Sequence, residues 1–235
     1  MKSSQSNPIV DNFIAPKCID TFSILYQDND ILVINKPSGL LSLSGKNPEN
    51  WDSVHYRLVN GQKGLTPSFL NAKLVHRLDL GTSGIMLVSL NDVSSKRLNK
   101  QFQLRSVKKH YVAVLQGCIS EDRGQIDAPI AKDTQLFPRV KICKLEGKPA
   151  VTEFNVIKRL ANPVRTYVRF SPLTGRTHQL RIHSHFIGHP ILGCDLYKSA
   201  HSEKLSKRLQ LHASDLFFEH PTTNQAIHIH CPSPF

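Results

Sequence analysis

Short apolar runs separated by polar turns dominate the first half of the chain. Residues 24–26 and 31–34 are two such runs on either side of a turn-forming Asp-Asn-Asp triplet, and together they predict a β-hairpin. Residues 85–88 form a short apolar run that is typical of a buried strand. Residues 110–115 are rich in β-forming side chains and precede Gly117, so they predict a further strand.

The second half shows the alternating pattern of half-buried strands. Residues 152–157 alternate apolar and polar side chains, and residues 166–170 repeat the pattern after an Asn-Pro break. We expect these two strands to pair antiparallel. Residues 209–218 and 226–230 predict two final strands.

Helices are predicted at three places. Residues 53–58 predict a short helix, and Asn91 can cap a second helix that ends before Val107. Thr177 can cap a third helix that Gly188 stops. Because these helices are set unevenly among the strands, the pattern predicts an α+β domain. Its sheet would be mixed but mostly antiparallel, with flanking helices and a central cleft across it.

Length and composition fit a single compact domain. The chain has 235 residues, of which 40% are hydrophobic, enough to build a core. We expect residues 24–235 to form that domain and the polar residues 1–23 to form a flexible arm. No apolar run approaches the length of a transmembrane helix, and the N-terminus lacks the apolar stretch of a signal peptide, so a soluble cytoplasmic protein is expected.

The charge balance indicates a polyanionic partner. Thirty Lys and Arg residues against 18 Asp and Glu residues give a net charge of +12 at pH 7. Such an excess on a compact domain favours nucleic acid binding, because Lys and Arg release condensed counterions from phosphates. The five cysteines are scattered and form no C-x-x-C pair, which argues against a disulfide scaffold or a zinc ribbon.

The segment His76-Arg77-Leu78-Asp79 sets a carboxylate beside basic side chains, just before the predicted strand at residues 85–88. A loop held by a rigid strand is a common position for catalytic groups. An Asp before Gly-Thr-Ser-Gly is also a common turn former. The spacing alone leaves both interpretations open.

A second basic segment, residues 174–181, coincides with the start of the third predicted helix. The free N–H groups and the dipole of a helix N-terminus favour an anion, and Arg176 and His178 would lie beside that end. Arg181 would follow one turn later on the same face as His178. Phosphate binding is favoured over a merely solvated basic face, given the net charge of the chain.

Histidines are numerous towards the C-terminus but do not follow a metal-binding pattern. On a helix, His178 and His185 would share a face while His183 points elsewhere, so three converging zinc ligands are not expected. His228 and His230 alternate with isoleucines in the last predicted strand, which would turn them towards solvent or RNA.

Together these segments resemble the RluA family of pseudouridine synthases. The resemblance covers nearly all of residues 24–234, and its most specific motifs are HRLDLGTSG at residues 76–84 and TGRTHQLRIH at residues 174–183. Further matching segments are ILYQDNDILVINKPSGLL at 24–41, KHYVAVLQG at 109–117, GHPILGCDLY at 188–197, and LHA at 211–213 followed by HP at 220–221.

The resemblance implies a pseudouridine synthase catalytic domain that isomerises uridine to pseudouridine in RNA without a cofactor or a metal. It implies that Asp79 is the nucleophile, that Tyr111 stacks on the target base and can accept a proton, and that Arg181 pairs with Asp79. The remaining expected RNA contacts are basic side chains in or near the matching motifs: Arg77, His76, Lys109, Arg176, His178 and Lys36.

The resemblance also bears on the substrate. Many members carry an S4-type RNA-binding domain, for which residues 1–23 are too few, and Cys194 interrupts the usual Gly-Asp pair after Gly193. Residues 40–54 look most like the short dual-specificity members, which act on large-subunit (23S) ribosomal RNA and on the tRNA anticodon stem-loop. We expect a monomer that binds RNA and no membrane. A tRNA-only synthase, a non-catalytic binder of structured RNA and a metal hydrolase remain as alternatives.

Overall fold

A computed structural model describes residues 13–62, 69–197, 202 and 205–235. Residues 1–12 of the predicted arm lie outside these ranges. The following part of that arm contacts the domain, since the Asn50 side chain donates to the carbonyl of Phe13 and accepts from the N–H of Ala15. Within the described ranges, none of the helices combines the length and hydropathy that a membrane crossing requires.

Strands make up most of the regular structure. They are β1 (Ser23–Gln27), β2 (Ile31–Lys36), β3 (Lys73–Leu74), β4 (Ser83–Ser89), β5 (Lys108–Gln116), β6 (Arg123–Asp127), β7 (Ile130–Lys132), β8 (Val140–Ile142), β9 (Val151–Ala161), β10 (Val164–Pro172), β11 (Leu211–Glu219) and β12 (Ala226–His230). The helices are α1 (Val54–Asn60), α2 (Asp92–Gln103) and α3 (Gln179–Phe186), with one 3-10 turn at Pro48–Asn50.

One large sheet organises the described part of the chain. Its strands follow the order β1-β2-β4-β11-β5-β10-β9-β6, with β3 added to β4 and β12 added to β11. Every pairing is antiparallel except that of β4 with β11. β7 and β8 form a separate antiparallel pair. The predicted α+β class and mixed, mostly antiparallel sheet are therefore confirmed, as is the pairing of β9 with β10.

The helix ends follow from local hydrogen bonding. The side chains of Ser53 and Asn91 cap α1 and α2 by accepting from backbone N–H groups, and the cap at Asn91 was predicted. The predicted cap at Thr177 is wrong. His178 occupies the cap position of α3 in the left-handed conformation, with φ of 53° and no side-chain cap bond. Gly188 follows α3 with φ of 83°, which a glycine adopts without strain.

Apolar packing covers both faces of the strands that lead to the cleft. On β2, Leu32 and Ile34 pack into a core with α1, whereas Ile31 and Val33 pack into a core with α2. Alternation along a strand puts successive side chains on opposite faces, so a strand buried on both faces is apolar at nearly every position. This burial fixes β2 and its partner β4 as a rigid support.

Close contact between β4, β11 and β5 determines where the site residues stand. Ala213 of β11 lies opposite Gly84 of β4 and also opposite Tyr111 of β5. A Cβ atom on Gly84 would lie 2.3 Å from the carbonyl oxygen of Ala213, and Gly84 has φ of 112°, so only glycine fits. The loop that precedes β4 is thereby held beside Tyr111.

Candidate active site

A cleft of about 820 Å³ opens between the loop before β4, the start of β5 and the segment that joins β10 to α3. Its walls carry more positive than negative side chains, with two carboxylates against six Lys and Arg residues. The carboxylates are Asp79 and Glu153, and the cations are Arg77, Arg105, Lys108, Lys109, Arg176 and Arg181. A concave, cationic surface of this kind suits a polyanion that inserts one of its groups.

The loop that carries Asp79 is clamped by the segment after β2. The hydroxyl of Ser42 donates to the carbonyl of Leu78 at 2.7 Å and accepts from its N–H at 3.1 Å. Ser38 Oγ donates to the carbonyl of Gly81 at 2.7 Å. These bonds lie on both sides of Asp79, so they restrict the direction in which its side chain leaves the backbone.

Lys36 belongs to the same clamp, and the prediction that it contacts RNA is wrong. Its side chain is fully buried, and its Nζ donates to the carbonyls of Pro37, Leu40 and Leu80 at 2.9, 2.7 and 3.2 Å. Burial lowers the pKa of Lys36 to about 7, although the nearby Cys18 and Asp79 act in the opposite direction. With its three donor positions occupied inside the protein, Lys36 has none to offer a phosphate.

Asp79 lies at the wall of the cleft with its side chain 19% exposed. Among the described residues, one basic side chain comes within 4.0 Å of its carboxylate: Nε2 of His178 lies 4.0 Å from Oδ1. The charge of Asp79 also acts to raise the pKa values of Tyr111 and Arg181, which places both groups within its electrostatic reach. The three residues expected to be catalytic therefore line one cleft.

Tyr111 stands on β5 and packs against two of the hydrophobic cores. Burial raises the pKa of its hydroxyl well above the ordinary value, and the charge of Asp79 raises it further. The side chain therefore faces the cleft as a neutral phenol, with a π-face and a hydroxyl both available to a ligand.

Arg181 is nearly buried on α3, with its side chain 5% exposed. Its guanidinium pairs with Asp195 and donates to Sγ of Cys194 at 3.5 Å. The expected pairing with Asp79 is not found in this structure, where no ion pair joins the two described side chains. Burial acts to lower the pKa of Arg181, but its interactions with Cys194, Asp79 and Asp195 outweigh the burial and raise that pKa.

The ring of His76 makes its contacts within the protein. Its Nε2 accepts from the N–H of Leu87 at 2.8 Å, and the ring stacks on Phe102 with centroids 4.9 Å apart. Burial lowers the pKa of His76 to about 3, and the charge of Lys109 adds to the effect. The ring is therefore neutral at pH 7 and braces the wall of the cleft. We expected His76 to be a cationic RNA contact from its position in the motif, whereas the structure shows a neutral ring that bonds inside the protein.

The other expected RNA contacts are at the cleft. Arg77 is exposed at its rim. Lys109 is half-buried beside the Phe102 ring, with Nζ 5.9 Å from the ring centroid, and burial lowers its pKa. Arg176 is half-buried, and its Nε donates to the carbonyl of Pro149 at 3.1 Å. These three cations remain candidates for phosphate contacts.

The remaining histidines of α3 have other partners. His183 is buried, and its ring nitrogens lie 3.0 Å from Thr152 Oγ1 and from the carbonyl of Ala128. His185 is exposed and does not line the cleft. The described residues contain no group of three or more His, Cys, Asp and Glu side chains arranged to hold a metal ion.

A family model described as RNA pseudouridylate synthase matches residues 30–186, which contain Asp79, Tyr111 and Arg181. The chain belongs to this family. It is therefore an RNA pseudouridine synthase, an isomerase, as its motifs predicted.

Individual relatives agree with this assignment. The chain is 43% identical over 212 residues to the dual-specificity RNA pseudouridine synthase RluA of Yersinia pestis, covering 90% of this chain and 99% of the relative. The Haemophilus ducreyi protein of the same name is 46% identical over 200 residues, with 84% and 86% covered. Human RNA pseudouridylate synthase domain containing 1 superposes with a TM-score of 0.74 at 30% identity, covering 94% of this chain and 86% of that structure.

Three residues of the synthase site were not indicated by the sequence patterns. Gln179 accepts from Thr174 Oγ1 and the Arg176 N–H, fixing the loop before α3. Tyr197 and Asp195 reach the cleft residues His178 and Arg181 from the segment after α3. Gln179 lies inside the matching motif at residues 174–183, which was the sequence signal that could have marked it. Tyr197 and Asp195 come from a segment without periodicity, so only the matching motif at residues 188–197 marked them.

Proposed function

We propose that this synthase isomerises uridine in structured RNA with Asp79 as the nucleophile. The observation that carries the proposal is the position of the Asp79 carboxylate. It is held on a clamped loop at the wall of a cationic cleft, within electrostatic reach of Tyr111 and Arg181. The fixed loop geometry supports a nucleophile that must meet one carbon atom in one direction.

The chemistry requires a nucleophile but no oxidant. The bond from uracil N1 to the ribose C1′ breaks, a bond from C5 to C1′ forms, N1 takes up a proton, and the hydrogen of C5 is released. Uridine and pseudouridine are isomers, so the step needs no redox partner or co-substrate. A carboxylate can hold the intermediate through a covalent bond and then leave, because it is a workable nucleophile and leaving group.

Asp79 has to be ionised for this role. Positive charge near a carboxylate favours its ionised form and opposes the desolvation that a bound base would impose. Arg181 supplies such a charge from α3, and its own raised pKa keeps it protonated. Tyr111 enters the reaction as a neutral phenol because its pKa is raised, so it can accept a proton only while giving up its own.

The target base must leave the RNA stack before Asp79 can reach it. Flipping a base out costs a few kcal/mol of stacking and pairing. Arg77 lies two residues before Asp79 and is exposed at the rim of the cleft. It can occupy the space that the base vacates. The π-face of Tyr111 can stack on the flipped uracil.

The proposed substrates are 23S ribosomal RNA and the tRNA anticodon stem-loop. Two relatives that match over most of their length are named dual-specificity RNA pseudouridine synthases, which supports two kinds of RNA substrate. A tRNA-only enzyme is the alternative. We further propose that residues 24–235 act as one catalytic domain, as a monomer, in the cytoplasm.

Tritium release tests the activity and the substrates together. Two RNAs labelled with tritium at uridine C5, an anticodon stem-loop and a 23S fragment, are incubated with the full chain. Dual specificity predicts stoichiometric tritium release from both, with equal release when a chelator is present. Release from the stem-loop alone would establish the tRNA-only alternative. Binding of both RNAs without any release would overturn the enzymatic proposal.

A further inference from the structure

Two hydrogen-bond contacts and one longer contact link the protein interior to Asp79. The buried N–H of Val140, on β8, donates to the hydroxyl oxygen of Tyr197 at 2.7 Å. That hydroxyl lies 3.0 Å from Nδ1 of His178, and Nε2 of His178 lies 4.0 Å from Oδ1 of Asp79. Tyr197 is 1% exposed, so its hydroxyl is restricted to these partners in the described structure.

Counting protons along these contacts fixes the tautomer of His178. The Tyr197 oxygen already accepts from Val140, and its single proton requires an acceptor because an unsatisfied buried donor costs free energy. Nδ1 of His178 is the acceptor within reach. In the neutral ring Nε2 then carries the hydrogen, and that N–H group faces the carboxylate of Asp79.

The surroundings keep His178 neutral at pH 7. Burial lowers its pKa, and Asp79 and Asp195 raise it only in part, since Arg181 and Arg77 lower it again. Tyr197 is itself flanked by the guanidinium groups of Arg139 and Arg181, 5.5 and 5.6 Å from its ring centroid. Among the described residues, the groups that act on His178 are the carboxylates of Asp79 and Asp195, the guanidinium groups of Arg181 and Arg77, and the Tyr197 hydroxyl.

The backbone of His178 is also fixed. It has φ of 53°, a left-handed conformation that non-glycine residues adopt rarely. Its carbonyl accepts from the N–H of Ile182 at 3.0 Å in the first turn of α3. The neighbouring Gln179 side chain bonds Thr152 Oγ1 and the carbonyl of Val151, which anchors α3 to β9. This arrangement turns the His178 ring towards Asp79.

We propose that His178 and Tyr197 are positioning residues for the nucleophile. His178 would direct a neutral N–H at the Asp79 carboxylate, and Tyr197 would hold His178 in the required tautomer. This inference rests on the proposed function of Asp79. It replaces the RNA contact that was expected of His178. The separation is 4.0 Å in this structure, and the proposal requires it to shorten to a hydrogen bond when RNA is bound, as catalytic bonds commonly tighten on substrate binding.

A neutral donor suits this position for a chemical reason. It can fix the orientation of the carboxylate without adding a full positive charge that would hold the attacking oxygen back. Arg181, the neighbouring full charge, is paired with Asp195 in this structure. Protonation of His178 would instead place a cation beside Asp79 and leave the Tyr197 proton without its acceptor.

Single-turnover tritium release with saturating enzyme tests the proposal. We expect His178→Leu to slow the step at least about tenfold while the Kd for RNA stays within about threefold, because the lost contact orients the nucleophile. His178→Gln should recover most of the rate, since its amide nitrogen can donate near the position of Nε2. His185→Leu, an exposed change on the same helix, is the control and should leave the rate unchanged.

Tyr197→Phe supplies a readout that a merely structural role would not affect. Removing the Tyr197 hydroxyl frees Nδ1 of His178 to take a proton, so His178 should become cationic at a higher pH than in wild type. The acid-side fall in the rate of tritium release should therefore move to higher pH. Equal rates for wild type and His178→Leu would overturn the proposal. So would equal impairment of the Leu and Gln variants, or an unshifted Tyr197→Phe profile. If wild type itself releases no tritium, the proposed function fails instead.

Discussion

The two histidines near Asp79 show how differently one residue type is used at a single cleft. His178 faces the carboxylate, whereas His76 accepts from the backbone of β4 and stacks on Phe102. Both rings have lowered pKa values because burial penalises the cationic form. The basic residues of the two motifs therefore have two roles. The histidines in the wall of the cleft form hydrogen bonds as neutral rings, and the Arg residues at the rim supply positive charge.

The low pKa of His76 predicts an acid-dependent loss of stability. The unfolded chain binds a proton at His76 below about pH 6.5, whereas the folded protein does so only near pH 3, so stability falls as the pH drops between these values. Between pH 7 and pH 5 the loss from this residue should be about 1–2 kcal/mol. Urea unfolding of wild type and His76→Gln at both pH values measures it. If wild type loses no more unfolding free energy than His76→Gln between pH 7 and pH 5, the low pKa assigned to His76 would be contradicted.

At the scale of elements, the cleft depends on the two loops that follow β2 and precede β4. Lys36 at the end of β2 and Ser38 and Ser42 of the first loop bond the backbone of the second loop on either side of Asp79. Both loops are attached to the rigid strand pair β2 and β4. The sheet therefore fixes the position of Asp79 relative to the rest of the cleft. Residues of the first loop should therefore affect stability and catalysis without contacting RNA.

Lys36→Met tests this role of the clamp. Three carbonyls would lose their donor, and unfolding by urea should show a loss of about 2–4 kcal/mol. The salt dependence of RNA binding should stay equal to that of wild type, because no phosphate contact is removed. An unchanged stability together with a shallower salt slope would restore Lys36 as an RNA contact.

Gly84→Ala tests the contact between β4 and β11. A Cβ there meets the Ala213 carbonyl oxygen at 2.3 Å, so the variant should lose about 3 kcal/mol or more of unfolding free energy. Gly188→Ala is the matched control. It also has a positive φ, but its Cβ would meet no atom within 4 Å, and a loss of about 1 kcal/mol is expected. Equal losses of unfolding free energy in the two variants would show that the close contact between β4 and β11 adds no cost beyond the backbone strain that both variants share.

Most elements could be predicted from sequence because an apolar run, an alternating pattern or a helix-capping residue marks them. The short strands β6, β7 and β8 lie in a Gly- and Pro-rich segment whose pattern is too brief to separate from a loop. The start of α3 was misplaced because His178 takes a left-handed conformation that no local rule requires. The burial of Lys36 depends on a carbonyl 44 residues away, which only the folded chain brings near.

At the scale of the whole molecule, the chain has a net charge of +12, and the cleft has the same sign, with six Lys and Arg residues against two carboxylates. A concave surface of one sign concentrates a polyanion and speeds its association. We therefore expect RNA binding and the chemistry to share one surface. In this proposal the charges at the rim contact the RNA backbone while the clamped carboxylate of Asp79 reacts.

Arg176→Ala should weaken RNA binding and reduce the salt slope by about one phosphate contact. Arg123→Ala is the control, since Arg123 is exposed on β6 and does not line the cleft. Filter binding of an anticodon stem-loop at several salt concentrations gives both slopes. The same slope for Arg176→Ala and wild type would remove Arg176 from the RNA path.

The nucleophile itself is tested most directly by Asp79→Asn, which keeps the size of the side chain and removes its charge. With saturating enzyme and RNA labelled with tritium at uridine C5, wild type should release one tritium for each target uridine. The variant should bind the RNA within a few-fold of wild type and release none above background. Tritium release at the wild-type rate by Asp79→Asn would contradict the account.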